Sequence, residues 1–133
     1  MKLKLLFLIA MISALIFTSC ESENIGGGGV NGISINTLDC AGATFSATAN
    51  ATVAYNGIAA VGYTGGNGTA YANGSPVSST GVAGLTATLN AGTLANGNGA
   101  LFYTISGTAP VAGNASFLLV FGGVSCTMVL VVH

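Results

Sequence analysis

Charged side chains are scarce in this sequence. Its 133 residues contain two Lys or Arg and three Asp or Glu, and both cations, Lys2 and Lys4, lie at the N-terminus. Binding to nucleic-acid phosphates or to an anionic membrane surface requires cationic side chains. Because the chain beyond Lys4 has none, the sequence excludes nucleic acid as a partner and a basic membrane-binding patch.

Groups that carry acid–base chemistry are equally few. The acidic residues are Glu21, Glu23 and Asp39, and the one histidine is His133. A glycosidase of the usual kind needs two carboxylates in its folded domain, and a Ser-His-Asp triad would have to use His133. A structural zinc site would need a second pair of ligands. The sequence therefore predicts a protein that is not an enzyme and that binds neither a cofactor nor a metal.

Long apolar runs are confined to the N-terminus. A short positive segment precedes an apolar stretch over residues 5–17, and two small residues separate this stretch from Cys20. This order is typical of a secretory signal peptide, and the stretch is too short for a membrane-spanning helix. Residues 17–20, FTSC, resemble a bacterial lipobox, in which the cysteine is lipidated and becomes the mature N-terminus. We predict a signal peptide over residues 1–19 and lipidation of Cys20; an ordinary signal peptide is the alternative.

A lipidated cysteine would tether the protein to a membrane, because each buried methylene group contributes about 0.8 kcal/mol to attachment. The segment after Cys20, ESEN, resembles the acidic export signal of lipoproteins on the outer face of the outer membrane in Bacteroidota-type bacteria. We therefore predict a surface-exposed location on the bacterial outer membrane, with residues 20–32 as an acidic, glycine-rich tether.

Residues 33–133 show no sustained helical period. Segments of β-favouring residues alternate there with Gly, Asn and Pro at short intervals. The predicted strands are residues 33–40, 43–50, 57–64, 75–80, 84–92, 100–107, 114–122 and 125–133. Turn signals of Gly and Asn separate them at residues 56–57, 65–68, 73–74 and 96–99.

Alternation of apolar and polar residues predicts which faces of the strands are buried. In the segment GLTATL, Leu85, Ala87 and Leu89 share one face and the two threonines share the other. Residues 117–121, FLLVF, are apolar on both faces, which is typical of a strand buried in a sandwich core. Seven or eight short strands predict an all-β fold, an immunoglobulin-like β-sandwich of antiparallel strands without the usual core tryptophan. A small β-barrel is the alternative.

Two cysteines lie in the predicted domain. Cys40 ends the first predicted strand, and Cys126 lies near the start of the last one. Because exported proteins meet an oxidising compartment, the sequence predicts a disulfide between them, with two buried free thiols as the alternative. Closing so long a loop stabilises a fold by about 4 to 5 kcal/mol when the effect is purely entropic.

A glycine-rich segment, YTGGNGTAYANG, occupies residues 63–74. A phosphate-binding loop of the Walker type requires a lysine after its glycines, and none is present, so phosphate binding is rejected. Tyr63 and Tyr71, with Asn67 between them, are instead the candidate binding surface, since tyrosine rings stack on sugars. Half-buried packing residues are the alternative. Outward threonines, Thr86, Thr88 and Thr104, would suit ice or a neutral polymer surface, although ordinary exposed strands look the same.

Several linked motifs resemble a repeat domain of large secreted and surface proteins of Bacteroidota-type bacteria. The motifs are YxGGNGxxY at residues 63–71, STGVxGLTATL at residues 79–89, a Gly-Thr-Pro-like turn at residues 107–110 and GGxxC at residues 122–126. The resemblance covers residues 38–132. It implies an extracellular β-rich module without catalytic residues, here in a single copy.

Taken together, these features predict a non-enzymatic cell-surface lipoprotein with an adhesion or structural role. Its partners would be the membrane, through the lipid anchor, and surface glycans or other surface proteins. Two alternatives stay open: a carbohydrate-binding surface lipoprotein, and a self-associating coat or fibre subunit that pairs through strand edges.

Overall fold

The structure, a computed structural model, describes residues 32–133, and this part of the chain folds into ten β-strands without a helix. The predicted signal peptide, Cys20 and nearly all of the predicted tether lie outside the described residues. The strands are Thr37–Phe45 (β1), Ala54–Asn67 (β2), Ala70–Tyr71 (β3), Val77–Ser78 (β4), Thr80–Gly81 (β5), Leu85–Leu89 (β6), Gly92–Thr93 (β7), Asn96–Thr108 (β8), Gly113–Phe121 (β9) and Val124–Val132 (β10).

The strands form two main antiparallel sheets and one small pair. The five-stranded sheet has the order β1-β2-β8-β6-β4, the three-stranded sheet has the order β10-β9-β5, and β3 pairs with β7. The orders β1-β2-β8-β6 and β10-β9-β5 match the A-B-E-D and G-F-C orders of immunoglobulin-like domains. The predicted all-β, immunoglobulin-like sandwich is therefore confirmed.

The core lies between the two main sheets and is built by strict alternation. Leu85, Ala87 and Leu89 of β6 are buried, and the threonines between them face outward, as the sequence predicts. The alternation continues across β2 and β8 because the three strands pair residue by residue. The largest fully buried side chains are Phe117, Leu85, Leu101, Ile105, Leu119, Met128, Val61 and Val132.

The prediction that residues 117–121 are buried on both faces is wrong. Phe117, Leu119 and Phe121 point into the core, but Leu118 is 60% exposed and Val120 is 69% exposed. The reason is that β9 belongs to a sheet of three strands whose outer face no described residue covers. A continuous apolar run therefore marks here a half-buried strand with an apolar outer surface.

The predicted disulfide between Cys40 and Cys126 is confirmed. It joins β1 to β10 across 86 positions of sequence, and the two Cα atoms are 5.9 Å apart. The bond links the first strand of one sheet to the last strand of the other. Antibody domains instead join their B and F strands, so the cross-link lies in a different place in this sandwich.

Three of the four predicted turns lie wholly or mainly inside strands. Residues 56–57 and 65–67 belong to β2, and residues 96–99 begin β8. At two of these strand glycines, Gly57 and Gly99, a tyrosine side chain occupies the space that a side chain would fill. A Cβ at Gly57 would stand 2.5 Å from the Tyr55 hydroxyl, and a Cβ at Gly99 would collide with the Tyr63 hydroxyl. These glycines mark close packing by an aromatic ring.

The predicted strand over residues 43–50 is largely wrong. Only its start belongs to β1, which the structure places at Thr37–Phe45. The chain then crosses to the smaller sheet, where Ala49 forms a parallel bridge with Val132. The N–H of His133 donates to the Ala49 carbonyl at 2.9 Å, and the N–H of Ala51 donates to the His133 carbonyl at 2.7 Å. This segment therefore occupies the edge of β10 near its C-terminal end.

Candidate functional surface

The structure does not present Tyr63 as a binding platform. The Tyr63 side chain is 4% exposed, and its hydroxyl accepts a hydrogen bond from the N–H of Ala95 at 2.7 Å. A ring can stack on a sugar only when one face is open to solvent. The proposed stacking role of Tyr63 is therefore corrected: this residue packs in the core and satisfies a backbone donor.

The other two residues of the predicted surface are placed differently. Tyr71 is half-buried and packs edge-on against Phe121, with ring centroids 5.2 Å apart. Asn67 is exposed, and its amide nitrogen donates to the carbonyl of Gly32 at 2.9 Å, while its Oδ1 accepts from the N–H of Thr69 at 3.3 Å. Both residues therefore hold neighbouring chain segments together.

Burial also perturbs the tyrosine hydroxyls. It raises the pKa of Tyr103 to about 12, with a smaller contribution from the charge of Tyr71. Burial raises the pKa of Tyr71 as well, followed by the effect of Tyr63, and burial alone raises the pKa of Tyr55. Desolvation disfavours the phenolate, so these hydroxyls stay protonated well beyond physiological pH. Tyr55 and Tyr103 are parts of the core, and Tyr71 packs against it.

A broader surface is formed by the outer side of the five-stranded sheet. Thr88 of β6 lies opposite Thr104 of β8, and Thr104 lies opposite Ile58 of β2. In the next row of outward side chains, Thr86 of β6 lies opposite Ser106 of β8. We define the hydroxyl face as the outward side chains of Asn56, Ser78, Thr86, Thr88, Thr104 and Ser106. The three threonines named in the sequence analysis thus lie together on adjacent strands.

One hydrogen bond orders a side chain of the hydroxyl face, and two apolar side chains lie beside this face. The Thr104 hydroxyl donates to Oδ1 of Asn90 at 2.9 Å. Phe102, 49% exposed, and Ile58, 38% exposed, point to the same side. Phe102 was not singled out from the sequence, although its place between Leu101 and Tyr103 on an alternating strand puts it opposite the core face.

A small depression lies toward the β1 side of the same sheet. Gly62 of β2 has no side chain, and a Cβ placed there would meet no atom within 4 Å. The depression has a volume of about 160 Å³. Its lining residues are Thr37, Asp39, Gly62, Tyr63, Thr64 and Asn98. The Asp39 carboxylate also accepts a hydrogen bond from the N–H of Gly42 at 2.9 Å.

A larger groove, about 310 Å³, opens between the two main sheets on the β4 side. Its lining residues are Gly74, Ser75, Val77, Leu89, Tyr103, Leu118, Leu119 and Val120. Because three consecutive residues of β9 line it together with residues of the five-stranded sheet, this groove runs along β9.

Comparison with protein-family models, characterised proteins and solved structures found no match to this chain. Within residues 32–133, no helix is long and apolar enough to cross a membrane.

Proposed function

We propose that this protein is a non-enzymatic module of the bacterial cell surface, with an adhesion or structural role, and that the hydroxyl face is its contact surface. The observation that carries the proposal is the cross-strand arrangement of Thr88, Thr104 and Ile58, with Thr86 and Ser106 in the next row. Hydroxyl groups of neighbouring strands and the apolar side chain of Ile58 thus lie side by side on one face of the sheet.

Such a surface suits a neutral partner. Each hydrogen bond contributes about 0.5–1.5 kcal/mol net, so a useful affinity requires many contacts made together. Threonine is β-branched and loses little rotamer freedom on binding, and the sheet holds its side chains at fixed spacings. Because the face carries no charged side chain, we expect binding that changes little with salt concentration.

Membrane attachment is part of the same proposal. It is supported by the lipobox-like residues 17–20 and by the acidic segment that follows Cys20. A lipid anchor at Cys20, followed by the glycine-rich tether, would hold the sandwich at the cell surface. The resemblance of residues 38–132 to a repeat domain of secreted and surface proteins points to the same location.

Carbohydrate binding is the second candidate, and one observation favours it. The half-exposed ring of Phe102 lies beside the hydroxyl face, and the depression at Gly62 offers the Asp39 carboxylate and the Asn98 amide. Flat rings next to amide and hydroxyl groups are typical of sugar sites. In this second candidate function, the sugar would bind on the outer face of the sheet and not at Tyr63 and Tyr71.

An adhesion assay tests the contact surface. Cells that carry the full chain are compared with cells that carry Thr88→Glu, which puts a charge in the middle of the hydroxyl face. The matched control is Thr127→Glu, which makes the same change at an exposed position of β10 on the other sheet. We expect Thr88→Glu to reduce adhesion at least tenfold and Thr127→Glu to leave it within twofold.

Equal effects of the two substitutions, or no effect of either, would remove the hydroxyl face from the proposal. A glycan array then separates the two candidates. Reproducible binding to a sugar that is lost in Phe102→Ala favours the carbohydrate-binding reading. Adhesion without array binding favours contact with a protein surface.

A further inference from the structure

The edge of β9 is only partly paired. Its first residues are covered by β5, where Thr80 lies opposite Ser116 and Gly81 opposite Ala115, and the N–H of Val82 donates to the Asn114 carbonyl at 3.0 Å. β5 has two residues, whereas β9 has nine. No described residue pairs with the remaining edge, residues 117–121.

The backbone groups that face this open edge can be identified from the alternation of the strand. The Asn114 carbonyl points toward β5, and so does the Ser116 carbonyl, which accepts from the Thr80 hydroxyl at 3.4 Å. In an antiparallel sheet, every second residue directs its N–H and C=O to the same side. The N–H and C=O of Leu118 and of Val120 therefore point out of the open edge.

The edge of β9 stays open because the segment that precedes β5 pairs with the five-stranded sheet. Val77 lies opposite Ala87, and the N–H of Ser79 donates to the Leu85 carbonyl at 2.9 Å, so residues 77–79 cover the edge of β6. The buried Ser79 hydroxyl accepts from the N–H of Leu85 at 3.2 Å, which fixes the crossing point. One short segment thus closes the edge of β6 and leaves that of β9 open.

The open edge lacks the devices that usually protect strand edges. β9 has the sequence GNASFLLVF, without a charged residue or proline, and Leu118 and Val120 expose apolar side chains. Charged residues, prolines and bulges are the common means of preventing edge-to-edge pairing. The groove of about 310 Å³ runs beside the same residues.

We propose that this edge binds the same edge of a second copy of the protein, in an antiparallel pair related by a two-fold axis. With the axis at Leu119, Leu118 lies opposite Val120 of the second copy, and all outward N–H and C=O groups of both residues find partners. The two smaller sheets then join into one sheet of six strands.

The ends of the pairing fit this register. On one side Ser116 is already occupied by β5, and the residue opposite it in the second copy would be Gly122. Gly122 has a φ of 57° and turns the chain from β9 into β10, so the second copy leaves the sheet where β5 begins. Neither copy has a charge on β9 that would repel the other.

The part of the open edge that would form the contact, residues 117–121, spans about 17 Å at ~3.4 Å per residue. This length is short for a stable interface. We therefore expect rapid, reversible pairing that is favoured when copies are concentrated on one surface. The proposal names the edge and register for self-association, and it does not depend on the hydroxyl face. A two-fold pair closes on itself, unlike the head-to-tail contacts of a fibre.

Site-specific cross-linking of the full chain in isolated membranes tests the pairing. Single cysteines are introduced as Leu118→Cys, Val120→Cys and, as the control, Val129→Cys on the exposed face of β10. A bis-maleimide of ~8 Å reach is then added. In the proposed register, equivalent residues on the two β9 strands are diagonal neighbours about 8 Å apart, which the linker can join, whereas those on β10 are at least ~14 Å apart. The chain without an added cysteine reports any reaction of Cys20.

We expect a cross-linked dimer with Leu118→Cys and Val120→Cys, at least tenfold more than with Val129→Cys. Adding Val120→Lys to Leu118→Cys should reduce the dimer at least tenfold, because the lysine charge opposes close pairing. Intact-mass analysis confirms folding when Cys40 and Cys126 remain unreactive. Three results would overturn the proposal: no dimer at either edge position, equal cross-linking at Val129→Cys, or cross-links only to a different protein. The adhesion result at Thr88 would be unaffected by any of them.

Discussion

At the scale of single residues, the tyrosines have roles that the sequence does not reveal. The sequence marks Tyr63 and Tyr71 through their glycine-rich segment, and a tyrosine near glycines can lie on a loop or over a strand. In the structure, Tyr63 covers Gly99 and Tyr55 covers Gly57, both in paired strands. An aromatic ring over a strand glycine replaces the packing that the missing side chain would supply. Whether a tyrosine lies on a loop or over a strand depends on strand pairing, and strand pairing is set by the tertiary structure.

Tyr103 gives a residue-level prediction about pH. Its folded pKa of about 12 lies above the value near 10 of an unfolded tyrosine, so between these values the folded state binds more protons. The stabilisation is fully present below pH 10 and is lost as the pH rises toward 12, by on the order of 2 kcal/mol. Urea unfolding followed by far-ultraviolet circular dichroism at several pH values from 8 to 12 measures this decline.

The matched variant for that experiment is Tyr103→Phe, which keeps the ring and removes the titrating hydroxyl. We expect its unfolding free energy to decline less steeply above pH 10 than that of the parent protein. A decline of the same steepness in both proteins would show that Tyr103 does not carry the effect.

At the scale of elements, most strands are predicted by composition and alternation alone. The predicted segment 84–92 contains β6, and the segments 114–122 and 125–133 nearly coincide with β9 and β10. The predictions fail where pairing overrides local signals, as at residues 96–99, which resemble a turn but extend β8. They also fail at residues 43–50, where the chain changes sheets at a point that only the finished sandwich defines.

The end of β5 gives an element-level prediction. Gly81 has a φ of 76°, and a Cβ there would lie 2.7 Å from the carbonyl oxygen of Asn114. We expect Gly81→Ala to lower the unfolding free energy by about 1–2 kcal/mol or more, because an L-residue is strained in this region and the β9 backbone has to move. Urea unfolding measures the change.

The control is Gly62→Ala, made in a strand at an unobstructed position. Alanine restricts the unfolded chain more than glycine does, so we expect this variant to be neutral or more stable by a few tenths to ~1 kcal/mol. Similar losses of stability in the two variants would contradict the account of how β5 ends.

At the scale of the whole molecule, the fold class and the disulfide are predictable and the sheet order is not. Two cysteines in the first and last predicted strands, together with the predicted export signal, predict the Cys40–Cys126 bond. By contrast, no local pattern assigns β4 to one sheet and β5 to the other, although they are separated only by Ser79. That assignment leaves the β9 edge open, so the surface proposed for self-association is visible only in the structure.

The candidate functional surface is also predictable from the sequence only in part. The outward threonines Thr86, Thr88 and Thr104 follow from alternation, because a period of two fixes which residues share a face. Their grouping with Ile58 and Phe102 depends on the pairing of β6, β8 and β2. Tyr63 is a candidate from the sequence because tyrosine rings stack on sugars, with packing as the alternative, and the structure shows that this ring is buried.

The central proposal, a sandwich displayed on the outer surface by an anchor at Cys20, has one direct test. A Thr127→Cys chain provides a single added thiol on the exposed face of β10, and intact and lysed cells are treated with a membrane-impermeant maleimide. We expect equal labelling in both, with the protein in the membrane fraction, and release from membranes when Cys20→Ser is added. Labelling only after lysis, or continued membrane attachment of the Cys20→Ser chain, would contradict the proposal.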